Sequence, residues 1–353
     1  MSATVLLLPG DGVGPEVTTQ ARRVLEAAAA GHGIAVQCSE ALMGGAAIDA
    51  TGEPLPEATL KACRNADAVF LGAVGGPQWA DVPVAKRPEQ GLLGLRKALG
   101  LYANLRPVTT LPALAAASPL RPERLAGVDI MVVRELTGGI YFGKRERTAS
   151  AAFDTCEYTT EEIERVCRAA GRLAAQRRGK VTSVDKANVL DTSRLWRDVA
   201  TRIFAEEFPQ LEVEHLLVDA AAMHLLSRPA DFDVMVTENM FGDILTDEAS
   251  MLAGSLGLLP SASLGDSAGP GLYEPIHGSA PDIAGRGIAN PCGAILSIAM
   301  LLRHALNGEA AAAAIESAVA ATLEAGVRTA DVAEPAHTPV STAAFGDAVL
   351  ERL

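Results

Sequence analysis

The sequence predicts an α/β fold with two domains and a largely parallel sheet. Short apolar runs typical of buried strands alternate with longer helix-like segments, which is the pattern of parallel βαβ units. A length of 353 residues exceeds what one hydrophobic core usually serves, so two domains are expected. The predicted strands are 5–8, 68–71, 129–133, 181–184, 213–218 and 234–236. The predicted helices are 15–30, 160–178, 194–207 and 310–325.

Composition excludes several classes of partner. The formal net charge is −13 and no local basic stripe offsets it, which argues against binding to nucleic acid. No uncharged apolar stretch is long enough to predict a membrane span. The five cysteines include no CxxC pair, which disfavours thiolate zinc sites and indicates a reducing compartment. Because the first residues lack the basic start of a signal peptide, we expect a cytoplasmic protein.

Polar side chains cluster just after the predicted strands. In open α/β sheets the ligand crevice lies outside the carboxyl ends of the strands. Any one of these residues more often just ends its strand, but four such ends with complementary chemistry predict a ligand site. The residues concerned are Arg134, Glu135, Lys186, Asp219, Glu238 and Asn239.

A glycine-rich loop at residues 9–16 follows the first predicted strand. It does not match the Rossmann fingerprint G-x-G-x-x-G, because Pro15 occupies the third glycine position. Pro15 suits the first turn of a helix. The loop is either a tight strand-to-helix turn or a place where the backbone approaches a cofactor.

Three arginines are candidates for binding a dicarboxylate. Arg96, Arg106 and Arg134 carry the planar guanidinium that binds carboxylates in a bidentate manner, which lysine cannot reproduce. The alternative is that they are solvated surface cations. Leu92 and Leu93, beside Arg96, are either an apolar wall for a substrate side chain or part of the core.

Two aspartates at helical spacing are the sharpest local feature. If a helix begins at Gly242, Asp243 and Asp247 lie on one helical face, where their like charges repel. A divalent cation would reverse that repulsion, and carboxylate oxygens suit Mg²⁺ or Mn²⁺. The alternative, a helix N-cap plus an acid in the first turn, is equally consistent with this fragment alone.

A loop rich in small residues, 277–285, suits a dinucleotide. Asp282 is able to accept hydrogen bonds from ribose hydroxyls and would repel a 2′-phosphate, which favours NAD over NADP. Taken alone, His277 is more simply a buried histidine.

These segments together resemble one family, the β-decarboxylating dehydrogenases that act on isocitrate, 3-isopropylmalate and related acids. The run RPEQGLLGLR is similar to the members that act on 3-isopropylmalate. The resemblance implies the isocitrate/isopropylmalate dehydrogenase-like fold, which is not a Rossmann fold. Residues 1–101 and 254–353 would form the cofactor-side domain, and 102–253 the domain for substrate, metal and dimerisation. The matching runs are GDGVGPE, ANLRP, RELTGGIYFG, VDKANVL, FGDILTDEAS and HGSAPDIAGRGIANP.

The resemblance also implies a role for each site residue. Substrate carboxylates would bind Arg96, Arg106 and Arg134, with Leu92 near the isopropyl group. Mg²⁺ or Mn²⁺ would bind Asp243, Asp247 and the other subunit's Asp219. The other subunit's Lys186, with Asp219, would take the hydroxyl proton, and Tyr141 would protonate the enol. NAD would contact Glu89, His277, Gly278, Ser279, Ala280, Pro281, Asp282, Ile283 and Asn290.

The implied activity is the oxidative decarboxylation of 3-isopropylmalate with NAD⁺ in leucine biosynthesis, by a homodimer with shared active sites. One alternative is a sibling enzyme acting on tartrate, malate or homoisocitrate. Glu89 and the pair Leu92–Leu93 speak against it, because an apolar wall wastes binding energy on a polar substituent. Another alternative is a catalytically silent regulatory subunit, which would be expected to have lost Lys186, Tyr141 or the aspartates.

Overall fold

The structure, a computed structural model, describes residues 2–266, 269–334 and 338–353. The strands are β1 (Ala3–Gly10), β2 (Val36–Glu40), β3 (Ala68–Ala73), β4 (Ala103–Thr109), β5 (Asp129–Glu135), β6 (Arg145–Arg147), β7 (Ala152–Asp154), β8 (Lys180–Asp185), β9 (Glu212–Leu217), β10 (Val234–Thr237), β11 (Pro260–Leu264) and β12 (Gly271–Pro275). The helices are α1 (Gly14–Gly31), α2 (Gly45–Thr51), α3 (Glu57–Asn65), α4 (Pro88–Ala98), α5 (Pro122–Leu125), α6 (Thr160–Ala175), α7 (Asp191–Glu207), α8 (Val218–Ser227), α9 (Asn239–Ala253), α10 (Cys292–Ala305), α11 (Glu309–Glu324) and α12 (Thr342–Leu350).

The chain divides into two compact units. The first comprises Met1–Leu101 and Gly254–Leu353. Its strands follow the order β2-β1-β3-β12-β11, in which only the β11–β12 pair is antiparallel among the described residues. Every residue of β3 is buried, as expected for a central parallel strand. The apolar helix α10 packs against α1, α11 and β12.

The second unit is Tyr102–Ala253. Its strands follow the order β4-β5-β10-β8-β9, and β4 runs antiparallel to β5 while the other pairs are parallel. Helix α6 begins with a capping box, in which the Thr159 and Glu162 side chains satisfy each other's backbone N–H groups. The carboxyl ends of β5, β8 and β10 carry the residues of the candidate site.

The predicted α/β class and largely parallel sheet are confirmed. Several boundaries were wrong, and the helix predicted to begin at Arg194 begins at Asp191. The strand predicted to reach Val218 ends at Leu217, because Val218 begins α8. The helix predicted to begin at Gly242 starts at Asn239. The helix predicted to reach Arg178 ends at Ala175. In the described part of the chain, no helix has the length and apolarity needed to cross a bilayer.

Candidate active site

Asp243 and Asp247 lie one turn apart on α9. The helix begins at Asn239, so neither aspartate is in its first turn. The explanation of the pair as helix caps is therefore wrong. Burial raises the pKa of Asp247, the positive charge of Arg106 lowers it, and the negative charge of Asp243 raises it further. Their oxygens are hard donors of the kind that Mg²⁺ and Mn²⁺ prefer.

Arg134 and Tyr141 both bind Asp243. Nη1 of Arg134, at the end of β5, donates to Oδ1, and the Tyr141 hydroxyl donates to Oδ2 at 2.9 Å. The Arg134 guanidinium carbon lies 5.8 Å from the centre of the Tyr141 ring. Burial, followed by the negative charge of Asp243, raises the pKa of Tyr141 to about 12. The phenol therefore remains protonated at neutral pH.

Arg106, on β4, faces the same two aspartates. Its Nη2 lies 3.8 Å from Asp243 Oδ1, and its Nη1 lies 3.9 Å from Asp247 Oδ1. Nη1 also donates to the hydroxyl of Thr246 at 2.7 Å, and Nε donates to Asn104 Oδ1 at 2.7 Å. Two nearly buried guanidinium groups thus converge on a pair of carboxylates within one unit.

Lys186 and Asp219 form a second group. Lys186 directly follows β8, and Asp219 is in the first turn of α8. Lys186 Nζ donates to Asp219 Oδ1 at 2.6 Å, and this hydrogen bond lowers the pKa of Asp219. Within residues 2–266, 269–334 and 338–353, no three or more His, Cys, Asp or Glu residues gather in a metal-binding group. Asp219 therefore does not join Asp243 and Asp247 as a set of three within one chain.

The remaining predicted substrate residues belong to the first unit. Arg96 is buried on α4, where it forms an ion pair with the equally buried Glu274. Leu92, on the same helix, packs against the hydrophobic core, so its side chain is at least partly structural. Glu89, which was predicted to contact NAD, also belongs to this unit and is exposed near the start of α4. Its carboxylate lies close to Gly75, where an added Cβ atom would be only 2.8 Å from Oε1.

The loop at residues 277–283 is tied to the turn after β1. The backbone N–H of Val13 donates to Ser279 O at 2.8 Å. An added Cβ at Gly12 would lie only 2.0 Å from the same oxygen, so this close approach requires glycine. Ala280 has a φ of +39°, a strained conformation for a residue with a side chain. The turn and the loop together form one backbone surface.

His277 offers an acceptor within that surface. Its Nδ1 lies 2.8 Å from Gly278 O, which places the proton of a neutral ring on Nδ1. Burial lowers the pKa of His277 and so favours the neutral form. Its buried Nε2 has no hydrogen-bond partner among the described residues. A ligand with an N–H or O–H donor would satisfy this atom, so the loop fits a nucleotide.

Other predicted loop residues differ in how they are used. Asp282 is exposed. The Asn290 side chain already bonds to protein, donating to Asp331 Oδ2 at 3.0 Å and accepting from Cys292 N at 3.0 Å. Glu16, in the first turn of α1, accepts from the backbone N–H of Gly287 at 3.0 Å and also binds Gly285.

Three residues that contact the arginines were not among the predicted site residues: Asn104 and Thr246 bind Arg106, and Glu274 binds Arg96. Asn239, which was predicted to lie at a strand end of the ligand site, binds Arg134. The contact of Asn104 was predictable from the sequence. Asn104 and Arg106 are two residues apart in an apolar run, so a strand places both side chains on the same face.

Comparison with known proteins identifies the family. The profile of the isocitrate/isopropylmalate dehydrogenase family matches residues 4–349. The chain belongs to this family. The 3-isopropylmalate dehydrogenase of Anaeromyxobacter dehalogenans (strain 2CP-C) is 59% identical to this chain, and the alignment covers 100% of both chains. That of Halalkalibacterium halodurans is 56% identical, covering 100% of this chain and 98% of its own.

Solved structures of the isocitrate/isopropylmalate dehydrogenase family share the fold. The crystal structure of isocitrate dehydrogenase from Methylococcus capsulatus superposes with a TM-score of 0.87 at 37% identity, covering 99% of both chains. A β-decarboxylating dehydrogenase from Thermococcus kodakarensis, in its apo form, gives a TM-score of 0.81 at 37% identity and covers 99% of this chain and 96% of its own.

Proposed function

We propose that this chain catalyses the oxidative decarboxylation of 3-isopropylmalate to 4-methyl-2-oxopentanoate and CO₂, with reduction of NAD⁺, in leucine biosynthesis. Full-length relatives of that name, at 59% and 56% identity, support the assignment. The observation that carries it is the group in which Arg106, Arg134 and Tyr141 surround Asp243 and Asp247. Such a group offers cations for a dicarboxylate, carboxylates for a metal and a protonated phenol.

Substrate binding falls to the arginines. Arg106 and Arg134 are buried and fixed by neighbouring side chains, so their guanidinium groups are preorganised for carboxylates. Arg96 is assigned the same role by family resemblance, and its charge is already balanced by Glu274. Leu92 would contact the isopropyl group.

Proton removal is assigned to Lys186 with Asp219. Oxidation at C2 needs a base for the hydroxyl proton while hydride leaves for the nicotinamide. Lys186 in its neutral form would take the hydroxyl proton and become the ammonium, and Asp219, which accepts a hydrogen bond from its Nζ, would hold the amine in position.

The aspartates fit a divalent cation. Asp243 and Asp247 provide oxygen ligands, and Asp219 of a second protomer would complete the set. Mg²⁺ or Mn²⁺ held by these carboxylates would supply Lewis-acid chemistry at the oxygen of the 2-oxo group. Tyr141 then delivers its phenolic proton to the enolate carbon, for which its protonated state at neutral pH is suited.

NAD is assigned to the loop at 277–283. The unpartnered His277 Nε2 and the backbone of Gly278, Ser279, Ala280, Pro281 and Ile283 would contact the adenosine half, with Asn290 nearby and Glu89 near the nicotinamide. The exposed Asp282 carboxylate would accept hydrogen bonds from the ribose hydroxyls and would repel a 2′-phosphate. We expect kcat/KM for NAD⁺ to exceed that for NADP⁺ by at least about tenfold, and comparable values would contradict this cofactor assignment.

We also propose a cytoplasmic homodimer with shared active sites. Exposed apolar side chains support it: Met223 and Leu226 on α8 are 63% and 44% exposed, and Ile244 and Met251 on α9 are 59% and 43% exposed. Covering them with a partner protomer would remove this apolar surface from water. A dimer would also supply the third metal carboxylate.

A complementation experiment tests the sharing. Lys186→Met and Asp247→Asn each inactivate every site of their own homodimer. If sites are shared, a mixed dimer has one site with both residues intact, so random mixing recovers about a quarter of wild-type activity. No recovery on mixing, with mixed dimers demonstrated by native mass spectrometry, would refute the sharing.

A substrate panel tests the reaction itself. Purified protein with Mg²⁺ and NAD⁺ is assayed on 3-isopropylmalate, isocitrate, malate and tartrate by NADH absorbance. We expect the highest kcat/KM on 3-isopropylmalate. Best turnover on a purely polar acid would refute the assignment.

A further inference from the structure

Asn239 connects the binding and protonation groups of the site. Its side chain is 1% exposed at the first turn of α9. The Oδ1 atom accepts from Arg134 Nη2 at 2.8 Å and from Nε at 3.2 Å. Its Nδ2 donates to Gly138 O at 3.1 Å. One buried amide thus joins the arginine to the short turn that carries Tyr141.

The hydrogen-bonding capacity of Asn239 fits this double use. An amide presents an acceptor and a donor in one rigid plane. An ionised carboxylate only accepts, and a serine or threonine hydroxyl lies on a side chain too short to reach both partners. The backbone of Asn239 is also engaged: its O accepts from Arg134 Nε at 2.9 Å, and its N–H donates to the Tyr158 hydroxyl at 2.9 Å. The amide therefore has one orientation that satisfies all its neighbours.

The neutrality of the amide matters as much as its shape. A carboxylate at this position would hold Arg134 more strongly but would cancel part of the charge that a substrate carboxylate needs. Asn104 binds Arg106 in the same way: its neutral Oδ1 accepts a hydrogen bond from Arg106 Nε at 2.7 Å. In contrast, Arg96 is paired with the charged Glu274.

We infer that Asn239 is a positioning residue for the reaction: its neutral amide fixes the Arg134 guanidinium and the Tyr141 turn relative to each other without reducing the charge of Arg134. This inference rests on the proposed function. Asn239 acts through Arg134 and Tyr141 and so affects both substrate affinity and the protonation step.

Two substitutions separate this role from a structural one. Asn239→Ala removes both links but leaves the backbone contact to Arg134. Asn239→Asp keeps the size and the acceptor, loses the donor to Gly138 and adds a negative charge. Loss of a hydrogen bond to a charged group corresponds to a change of roughly tenfold or more. We expect kcat to fall about tenfold in Asn239→Ala, which loses the hydrogen bond to Arg134, and also in Asn239→Asp, whose carboxylate faces the Gly138 carbonyl oxygen without a donor. KM for 3-isopropylmalate should rise more in Asn239→Asp than in Asn239→Ala, because only the carboxylate offsets the charge of Arg134.

Controls isolate the cause. The Kd for NAD⁺ is expected to stay within about twofold, because the loop at 277–283 belongs to the other unit. Thr322→Val removes a buried hydroxyl that donates to Ala318 O at 2.8 Å, and should lower the melting temperature without changing KM. If Asn239→Ala does not fold, the isosteric Asn239→Asp answers the question.

The outcomes distinguish the inference from the proposed function. A wild-type enzyme inactive on 3-isopropylmalate refutes the proposed function. An active wild type with Asn239 variants that keep kcat and KM within about twofold refutes only the positioning role. A larger KM increase in Asn239→Ala than in Asn239→Asp also refutes it, since damage from truncation would then outweigh the added charge.

Discussion

The Tyr141→Phe substitution removes one oxygen atom and tests the protonation step directly. The ring remains, and with it the contact to Arg134. The lost hydrogen bond to Asp243 Oδ2 measures 2.9 Å. Asp243 keeps its second anchor, since Arg134 still binds Oδ1. We therefore expect the carboxylates and the hydride step to be little disturbed, with less than about a tenfold loss in the rate of oxidation.

Decarboxylation should respond differently. A positioned general acid contributes roughly 10²–10⁴-fold to a proton transfer, so turnover of the oxidised 2-oxo diacid should fall by about that factor. Single-turnover NADH absorbance measures oxidation, and CO₂ release from the 2-oxo diacid measures decarboxylation. Tyr273→Phe, which alters a buried tyrosine in the other unit, is the matched control and should change neither rate. Equal losses in both steps, or an unchanged kcat, would remove Tyr141 from the mechanism.

Three further predictions concern other groups. Lys186→Met should abolish turnover while the Kd for NAD⁺ from calorimetry stays near wild type; loss of NAD⁺ binding with turnover retained would reverse the assignment. Asp247→Asn should raise the Kd for Mg²⁺ from calorimetry at least about tenfold, and an unchanged Kd would exclude it as a ligand. Burial lowers the pKa of His215, His277 and His304, so the unfolded chain binds more protons below about pH 6.5. The contribution of these histidines to thermal stability should therefore fall as the pH decreases from 7 to 5, and a pH dependence of the melting temperature that is unchanged in His215→Gln would contradict the sign.

The sequence paired the two aspartates but misplaced the start of the helix that carries them. Asp243 and Asp247 were paired from spacing alone, yet the helix was placed three residues too late. Preferences for N-caps favour small residues such as Gly242. In the structure a carboxylate oxygen of Glu238 accepts from the backbone N–H of Phe241 at 2.7 Å. A glutamate, whose side chain is longer than those usually preferred at N-caps, therefore binds a free N–H group of the first helical turn.

Contacts between strands were not predictable from one sequence. The register of β10 places Thr237 beside Arg134 on β5, which brings the following Asn239 within reach of that arginine. Lys186 and Asp219 likewise meet because β8 and β9 are parallel neighbours. Hydrophobic patterning identifies strands but does not give their order, since any buried parallel strand is a similar apolar run.

Charge balance predicts that the proposed metal and substrate bind together. Arg106 and Arg134 offset Asp243 and Asp247, so this group is neutral by itself. A divalent cation alone would leave two excess positive charges, and a dicarboxylate alone would leave two negative ones. Each ligand should therefore raise the affinity for the other by the same factor, because such coupling is reciprocal. Calorimetric titration of 3-isopropylmalate with and without Mg²⁺ measures the factor, which we expect to be at least about tenfold. Independent binding of the two would show that the four side chains do not act as one electrostatic unit.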